Sequence, residues 1–553
     1  MNRRNFVTGT VLGSVAGTAI AQHNPDPGPA RYTDGKAGAH PFRAREAGTR
    51  PHIFLICLDM VSPDHYLPSR SLQREMDQPA MHSLMADGVN FTNAFCTVSI
   101  CAPSRASLYT GRHPYVLANP GGGQAGMESI LRPTDVIFPE YLKATGYRTR
   151  HVGKNHIGAQ KFMDAFDELD SNWNTHMPVL ARDEGYQAYL RRLGVKMPRY
   201  ARLISAQEPD RKTPAFLDYG GWTVQSDGKP FPLQGQYSHY LSQWAVQRLD
   251  DTLSLSAGKS PVYLQLNIYD PHKPFTIPDG FQQREEHLRK AISLPPSYQQ
   301  AVARGFRSAP GEPPLYEFFR NYWGFYQPES AKDFMVANAL AMEVADRAIG
   351  EFIRALKQRG IYHDSLIILT ADHGEMGCHL ALVDKGCYIH PETQRVPLVI
   401  KPPARFGARG RTVETPVSLL DIASTVCDIA GVEPGERMDG ISLIECLKGG
   451  SLPASRDLMF QTGWQITGNP ACGTVRWELD GRHHLFAYNL GSTTDELYDL
   501  NHPDPQNLAG KPEHESVRVE MVQRMFALIQ KDPRWGCYRD GFLTARYSQI
   551  KRG

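Results

Sequence analysis

Ile53-Phe54-Leu55-Ile56-Cys57-Leu58 is an unbroken apolar run. A strand with one wet face would alternate, so a run of this length fits a strand covered on both faces, as in a parallel sheet. Similar runs recur from Val262 to Ile268 and from Ser365 to Thr370, with a weaker one from Arg148 to Val152. Within Val336 to Gln358, Leu340, Val344, Ala348, Phe352 and Leu356 repeat at helical spacing, and Gly360 is placed to stop the helix. Strand, helix, strand order predicts an α/β fold with a large, mostly parallel sheet sandwiched by helices.

The texture changes beyond about Ala454. Short runs at Leu458 to Gln461, Val475 to Leu479, His484 to Tyr488 and Glu496 to Leu500 are separated by Gly, Asp and Asn, which predicts an antiparallel meander. A helix from about Glu513 to Gln530 follows. The pattern divides the chain near Gly449-Gly450-Ser451 into a main domain, 51–450, and a smaller C-terminal α+β domain, 451–553, carrying an antiparallel sheet. Residues 22–50, rich in Pro, Gly and Ala without apolar period, read as a linker or arm.

Ahead of that arm, Arg3-Arg4-Asn5-Phe6 precedes an uncharged run from Val7 to Ala21 that ends Ala19-Ile20-Ala21. The run is too short to span a bilayer and has the three-part form of an export signal, of twin-arginine type, over residues 1–21. The expectations are recognition by the twin-arginine export machinery, a periplasmic or secreted mature chain and no transmembrane span within it. Such a route carries a chain already folded in a reducing cytoplasm, which disfavours a disulfide framework. Cys57, Cys96, Cys378, Cys387, Cys427, Cys446, Cys472 and Cys537 are therefore expected to pack as small buried hydrophobes.

Composition narrows the function. Among 553 residues, 60 Lys and Arg oppose 58 Asp and Glu for a net charge of +2, so no basic footprint points to nucleic acid. In open α/β sheets the ligand site lies beyond the carboxyl ends of the strands. Asp59 follows the first run, Asp270-Pro271-His272-Lys273 the second and Asp372-His373-Gly374 the third, while Gly153-Lys154-Asn155-His156 follows the weaker one. Each alone reads as a turn or cap. Together they gather carboxylates, imidazoles and amines at one rim, and the oxygen and imidazole donors of Asp59, Asp372 and His373 suit calcium, magnesium or manganese.

Cys101-Ala102-Pro103-Ser104-Arg105-Ala106-Ser107-Leu108-Tyr109-Thr110-Gly111-Arg112 is the most informative stretch. Pro103 fits the first turn of a helix, which would set residue 101 at the positive end of the dipole with Arg105 one turn along the same face. Cys-x-Pro-Ser-Arg followed by Leu-x-Thr-Gly-Arg resembles the signature of the sulfatase family, formylglycine-dependent enzymes of the alkaline-phosphatase-like superfamily. The resemblance, from about His52 to Asn507, implies that a maturation enzyme converts Cys101 to formylglycine (3-oxoalanine). It implies cation ligands at Asp59, Cys101, Asp372 and His373, the cation being Ca2+ with Mg2+ or Mn2+ as alternatives. It further implies Arg105 stabilising the hydrated formylglycine, Lys154 and Lys385 on the sulfate, and His156 tethering residue 101. His272, in a Pro-His-x-Pro-Phe-like segment, is the expected general acid and a substrate contact.

An aldehyde hydrate suits this chemistry because a thiolate attacking a sulfate ester would leave a thiosulfate that water cleaves slowly, whereas a hydrate has one hydroxyl to attack and a second to expel the sulfate. The implied substrate is a sulfate monoester of a carbohydrate or other small alcohol. Phosphonate monoesters or phosphodiesters are the alternative substrates, and sulfated-glycan binding without turnover is the alternative function. The pattern breaks at Met60, where the family has a second carboxylate or an amide; a thioether is a soft, neutral donor, so water, Asp64 or Asn93 would have to fill that position. Residues 171–330 carry Trp173, Tyr219, Trp222, Phe231, Tyr237, Tyr240, Trp244, Phe306, Tyr322, Trp323 and Phe325, expected mainly in the core, with some left to wall a pocket.

Overall fold

The computed structural model describes residues 43–44, 50–113, 131, 134–157, 160–172, 180–214, 219–255, 258–386, 388–435, 437–453, 456–462, 471–479, 482–489 and 494–532. The expected leader (1–21), most of the expected arm (22–50), Trp173, Cys387, Cys537 and the Cys472 side chain lie outside the described residues. Eight strands form the main sheet: β1 (Ile53–Leu58), β2 (Val89–Phe91), β3 (Arg148–Lys154), β4 (Glu168–Asn172), β5 (Val262–Asn267), β6 (Leu366–Ala371), β7 (Leu398–Lys401) and β8 (Arg411–Val413). Their order is β8-β2-β7-β6-β1-β5-β3-β4. From β6 to β4 every neighbour is parallel; β7 runs antiparallel to both β6 and β2.

The apolar runs are the centre of this sheet. Every residue of β1, β5 and β6 is buried, which explains their lack of alternation. Each large aliphatic side chain so buried contributes about 1.5–3 kcal/mol. Helices cover both faces. Phe54 of β1 packs its ring at 5.7 Å against Phe352 of a long helix, Pro328–Gln358, whereas Gln265 of β5 donates to the Tyr109 hydroxyl of the helix Cys101–Thr110 at 2.5 Å. Phe54 pairs with Leu264, so Gln265 points to the opposite face and the two helices flank the sheet.

Registers align the carboxyl ends. Leu58 pairs with Ala371, Cys57 with both Thr370 and Asn267, and Asn267 with Gly153. Asp59, Asp372 and Lys154 thus emerge within one or two residues of a common edge. The third strand extends through Lys154, two residues beyond the apolar run, because Gly153 and Lys154 still pair with the ends of β5 and β4. The long helix also starts eight residues earlier than its apolar period, at Pro328 in the first-turn position, since its opening turns are polar.

The C-terminal meander is a four-stranded antiparallel sheet: β9 (Leu458–Thr462), β10 (Ala471–Leu479), β11 (Arg482–Asn489) and β12 (Glu496–Asp499). Met459, Phe486 and Leu497 face Val517, Met521 and Met525 of the helix Glu515–Lys531. Their sequence neighbours Phe460, Leu485 and Tyr498 face Phe95 and Ile389 of the main body, as period-two alternation requires. Tyr219, Phe231, Tyr237, Tyr240, Phe306, Trp323 and Phe325 are buried, so the aromatic-rich stretch is mainly core. Cys57, Cys96, Cys378, Cys427 and Cys446 are buried and free. Among the described residues no helix is long and apolar enough to cross a membrane.

Gly153 holds φ +98°, and a Cβ there would meet the Asn267 carbonyl oxygen at 2.0 Å. Gly153→Ala is expected to cost about 2–4 kcal/mol, combining left-handed strain with a backbone clash inside the sheet. Gly146→Ala, with φ +92° but open space around it, is expected to cost only the backbone part. Urea unfolding of both variants checks the difference.

Candidate active site

Asp59 and Asp372 leave adjacent parallel strands and are fully buried. Two like charges this close in a low dielectric require counter-charges, and three elements supply them. Arg105 donates Nε to Asp372 Oδ2 at 2.9 Å and holds Nη2 3.8 Å from Asp59 Oδ2. Lys154 donates its ammonium directly to Asp59 Oδ2. His373 sets Nε2 3.9 Å from Asp59 Oδ1 and 3.6 Å from Asp372 Oδ1, its Nδ1 turned to the Gly374 carbonyl at 2.9 Å.

Cys101 is the first residue of its helix, and no side chain caps that end, so the positive end of the dipole faces its sulfur. The Sγ lies 3.1 Å from His373 Nε2 and 3.9 Å from Asp59 Oδ1. The helix is pinned to the strand end by Ser104, whose hydroxyl donates to the Asp372 carbonyl at 2.5 Å. Arg105, one turn on, also donates Nη1 to the Lys154 carbonyl at 3.3 Å, so a single side chain ties three elements together.

These contacts set the protonation states. Burial raises the carboxyl of Asp59, but Lys154, with His272 and Arg105, outweighs it and holds the group down to about 2. A depressed carboxyl stays charged and keeps its pairing above the ordinary carboxylate range, losing it only as pH falls toward 2. Burial likewise opposes ionisation of Cys101, yet Lys154, Lys385 and His373 bring its pKa well below that of an ordinary thiol, and His156 hydrogen-bonds the sulfur. Burial and Lys154 lower the pKa of His156, which leaves the imidazole neutral.

Donor atoms of Asp59, Cys101, Asp372 and His373 all lie within 4.8 Å of one another. Buried carboxylate oxygens with one imidazole fit a divalent cation, and Asp59 Oδ1 is the oxygen turned toward this pocket while Oδ2 takes the cationic side chains. Beside it stands a second pair. Lys385 Nζ lies 2.9 Å from His272 Nε2, and His272 Nδ1 is engaged by the Lys273 carbonyl.

All nine expected residues, Asp59, Cys101, Arg105, Lys154, His156, His272, Asp372, His373 and Lys385, therefore meet in one network. Asp64 and Asn93 do not join it. Asn93 binds Arg395 and the Glu414 carbonyl, and Asp64 faces Arg70 and His379. Met60 is buried at φ +60°, its N–H on Asp372 Oδ1 at 3.1 Å and its sulfur 3.8 Å from Lys385 Nζ.

Two contributors escape the sequence. Asp384 bridges Lys385 at 3.3 Å and Lys273 at 2.9 Å, and Lys273 lies over the Trp323 ring at 3.9 Å. Glu375 accepts from Gly377 N–H at 2.5 Å and from Asp384 N–H, bracing the segment that delivers Lys385. The signals were adjacency alone: Asp384 precedes Lys385, and Glu375 closes Asp372-His373-Gly374-Glu375.

The sulfatase family model matches residues 51–432, and that of the N-sulphoglucosamine sulphohydrolase C-terminal region matches residues 377–531. An ulvan-active sulfatase from Formosa agariphila is 24% identical over 459 residues, covering 81% of this chain and 75% of its own. An uncharacterized sulfatase from Escherichia coli, YidJ, is 26% identical over 484 residues, covering 84% of each chain. Among solved structures, a phosphonate monoester hydrolase from Silicibacter pomeroyi is similar at TM-score 0.67 and 19% identity, over 87% of this chain and 96% of that one. A protein solved with its substrate D-glucosamine-2-N,6-O-disulfate is similar at TM-score 0.61 and 16% identity, over 89% and 99%. At these identities the structural likeness speaks for the fold.

Aspartate adopts positive φ more readily than methionine, and a carboxylate at position 60 adds a hard donor beside the cation pocket. Met60→Asp is expected to tighten divalent-cation binding by about tenfold or more, about 1.4 kcal/mol. Calorimetric titration reads this directly, and an unchanged affinity would show that position 60 lies outside the ion's reach.

Proposed function

The chain belongs to the sulfatase family, hydrolases of sulfate esters, and from that premise we propose that its nucleophile is the hydrate of formylglycine made from Cys101. The observation that carries this reading is the position of Cys101: a buried helix N-terminus within reach of two carboxylates, an imidazole and two lysines. A thiol so placed is where a maturation enzyme would leave an aldehyde, and its sulfur stands in for the hydrate oxygen.

The hydrate would supply two hydroxyls: one would lose its proton and bond sulfur as the ester S–O bond breaks, and loss of the second hydroxyl's proton would then break the bond from residue 101 to the sulfate, releasing sulfate and an aldehyde that water rehydrates. Lys154 and Lys385 offset charge on the transferring group, and Arg105 holds Asp372 and Asp59 in place. A divalent cation held by Asp59, Asp372, His373 and residue 101, calcium with magnesium or manganese as alternatives, would supply positive charge against the sulfate oxygens. His272 has Nδ1 committed to a backbone carbonyl, so Nε2 is the atom that exchanges a proton, and the His272–Lys385 pair protonates the departing ester oxygen.

The substrate we propose is a sulfated saccharide or other small alcohol sulfate, supported by the ulvan-active relative and the disulfated glucosamine complex. The twin-arginine leader supports maturation in the cytoplasm followed by export to the periplasm or beyond, with residues 51–450 carrying the chemistry and 451–553 completing the fold.

Cys101→Ala is expected to abolish turnover of an aryl sulfate while leaving the circular dichroism spectrum intact; activity within about tenfold of wild type would place the nucleophile elsewhere. Peptide mass across residue 101 in protein from its natural host should show the aldehyde, and an unaltered thiol would reject the mechanism. Faster turnover of an aryl phosphonate monoester than of the matching aryl sulfate would replace the substrate class. His272→Ala is expected to slow an alkyl sulfate by about a hundredfold or more but a nitrophenyl sulfate by less than about tenfold, because only the poorer leaving group needs the proton.

A further inference from the structure

Behind the catalytic network lies a second buried cluster that the reaction does not use. Asp64 follows β1 by six residues, His379 and Glu392 flank the segment that carries Lys385, and Asp504 comes from beyond β12. Glu392 is fully buried, and His379, Asp504 and Asp64 are 3%, 5% and 8% exposed. His379 directs Nδ1 to Asp504 Oδ1 at 2.7 Å, and Asp504 is itself fixed by the Ser297 hydroxyl and N–H at 2.6 and 2.7 Å. The other ring nitrogen, Nε2, faces Asp64 Oδ2 at 3.3 Å and Glu392 Oε2 at 3.9 Å.

This is the arrangement of a metal-ligating histidine. A carboxylate on one ring nitrogen orients the imidazole and fixes its tautomer, leaving the second nitrogen to bind. Ligand atoms about 2.1 Å from a tetrahedral ion lie about 3.4 Å apart, close to the separations seen here. Glu392 Oε1 is engaged by Arg70, but Oε2 has no hydrogen-bond partner despite complete burial. An orphan carboxylate oxygen in the core is costly unless a cation faces it. The neighbouring backbone at Cys378, Leu380 and Ala381 holds positive φ, strain that something rigid must sustain.

We propose that Asp64, His379 and Glu392 form a second divalent-cation site, distinct from the one at Asp59, Cys101, Asp372 and His373, and that Zn2+ is the ion it prefers. Three donors in a pocket this buried leave little room for the six to eight oxygens calcium takes and match the small, near-tetrahedral set that zinc accepts. The ion clips together the segment after Asp59, the segment leading to Lys385 and, through Asp504, the C-terminal region. It touches no substrate.

The test is a metal count. Full-length protein stripped by chelator is dialysed against Zn2+ and analysed for metal per chain, alongside His379→Gln and Glu392→Gln. Wild type is expected to hold one equivalent more than either variant, and Zn2+ is expected to raise its thermal midpoint further than theirs. Asp372→Asn, measured in parallel, reports occupancy of the first site, so that failure there and failure here are separable. If His379→Gln does not fold by circular dichroism, Glu392→Gln carries the comparison, since its amide oxygen can still accept from Arg70. Equal counts in wild type and the folded variant overturn the proposal.

Discussion

Two carboxylates at neighbouring strand ends, buried and of like charge, are the constraint around which the molecule is arranged. Asp59 and Asp372 cannot both stay ionised in the interior without compensation. Arg105 must therefore come within reach, and because Arg105 sits one turn into its helix, meeting that need also sets Cys101 at the pocket. Lys154 must stand at the end of β3, which requires a glycine before it where the strand approaches β5 too closely for a side chain. The charge problem, the helix placement and the glycine are one requirement seen at three scales.

Much of this was legible before any coordinates. β1, β5 and β6 declare themselves because a strand buried on both faces has no polar positions to dilute it, and the residue that ends each run is polar because it leaves the sheet. Asp59, Asp372 and His373 are readable for that reason, and Cys101 and Arg105 because a proline fixes the helical phase between them. The link from His379 to Asp64 and Asp504 was not readable. Its members are 315 and 125 residues apart and sit in irregular segments, where no period ties position to direction. Asp384 was hidden by a different effect: a carboxylate next to a lysine looks like an ordinary surface pair until burial removes the water.

The C-terminal sheet is bound into the main body on two independent terms. Phe460, Leu485 and Tyr498 share an apolar cluster with Phe95 and Ile389, and Tyr316 donates its buried hydroxyl to Glu496. Asp504 adds a charged contact to the segment that runs toward Lys385. The stretch after β12 is thus tied to the segment that presents Lys385.

The carboxylate of Asp372 accepts two backbone N–H groups on Oδ1, from Met60 and His373, and the Arg105 guanidinium on Oδ2. Two oxygens offer about four lone pairs, so about one is left, on Oδ2. A cation held here would meet Asp372 through one oxygen only and Asp59 chiefly through Oδ1. Gripped by so few protein oxygens, it would keep coordination positions open to oxygens of a bound ester. Occupancy of ion and ester would then be coupled, each tightening the other by the same factor.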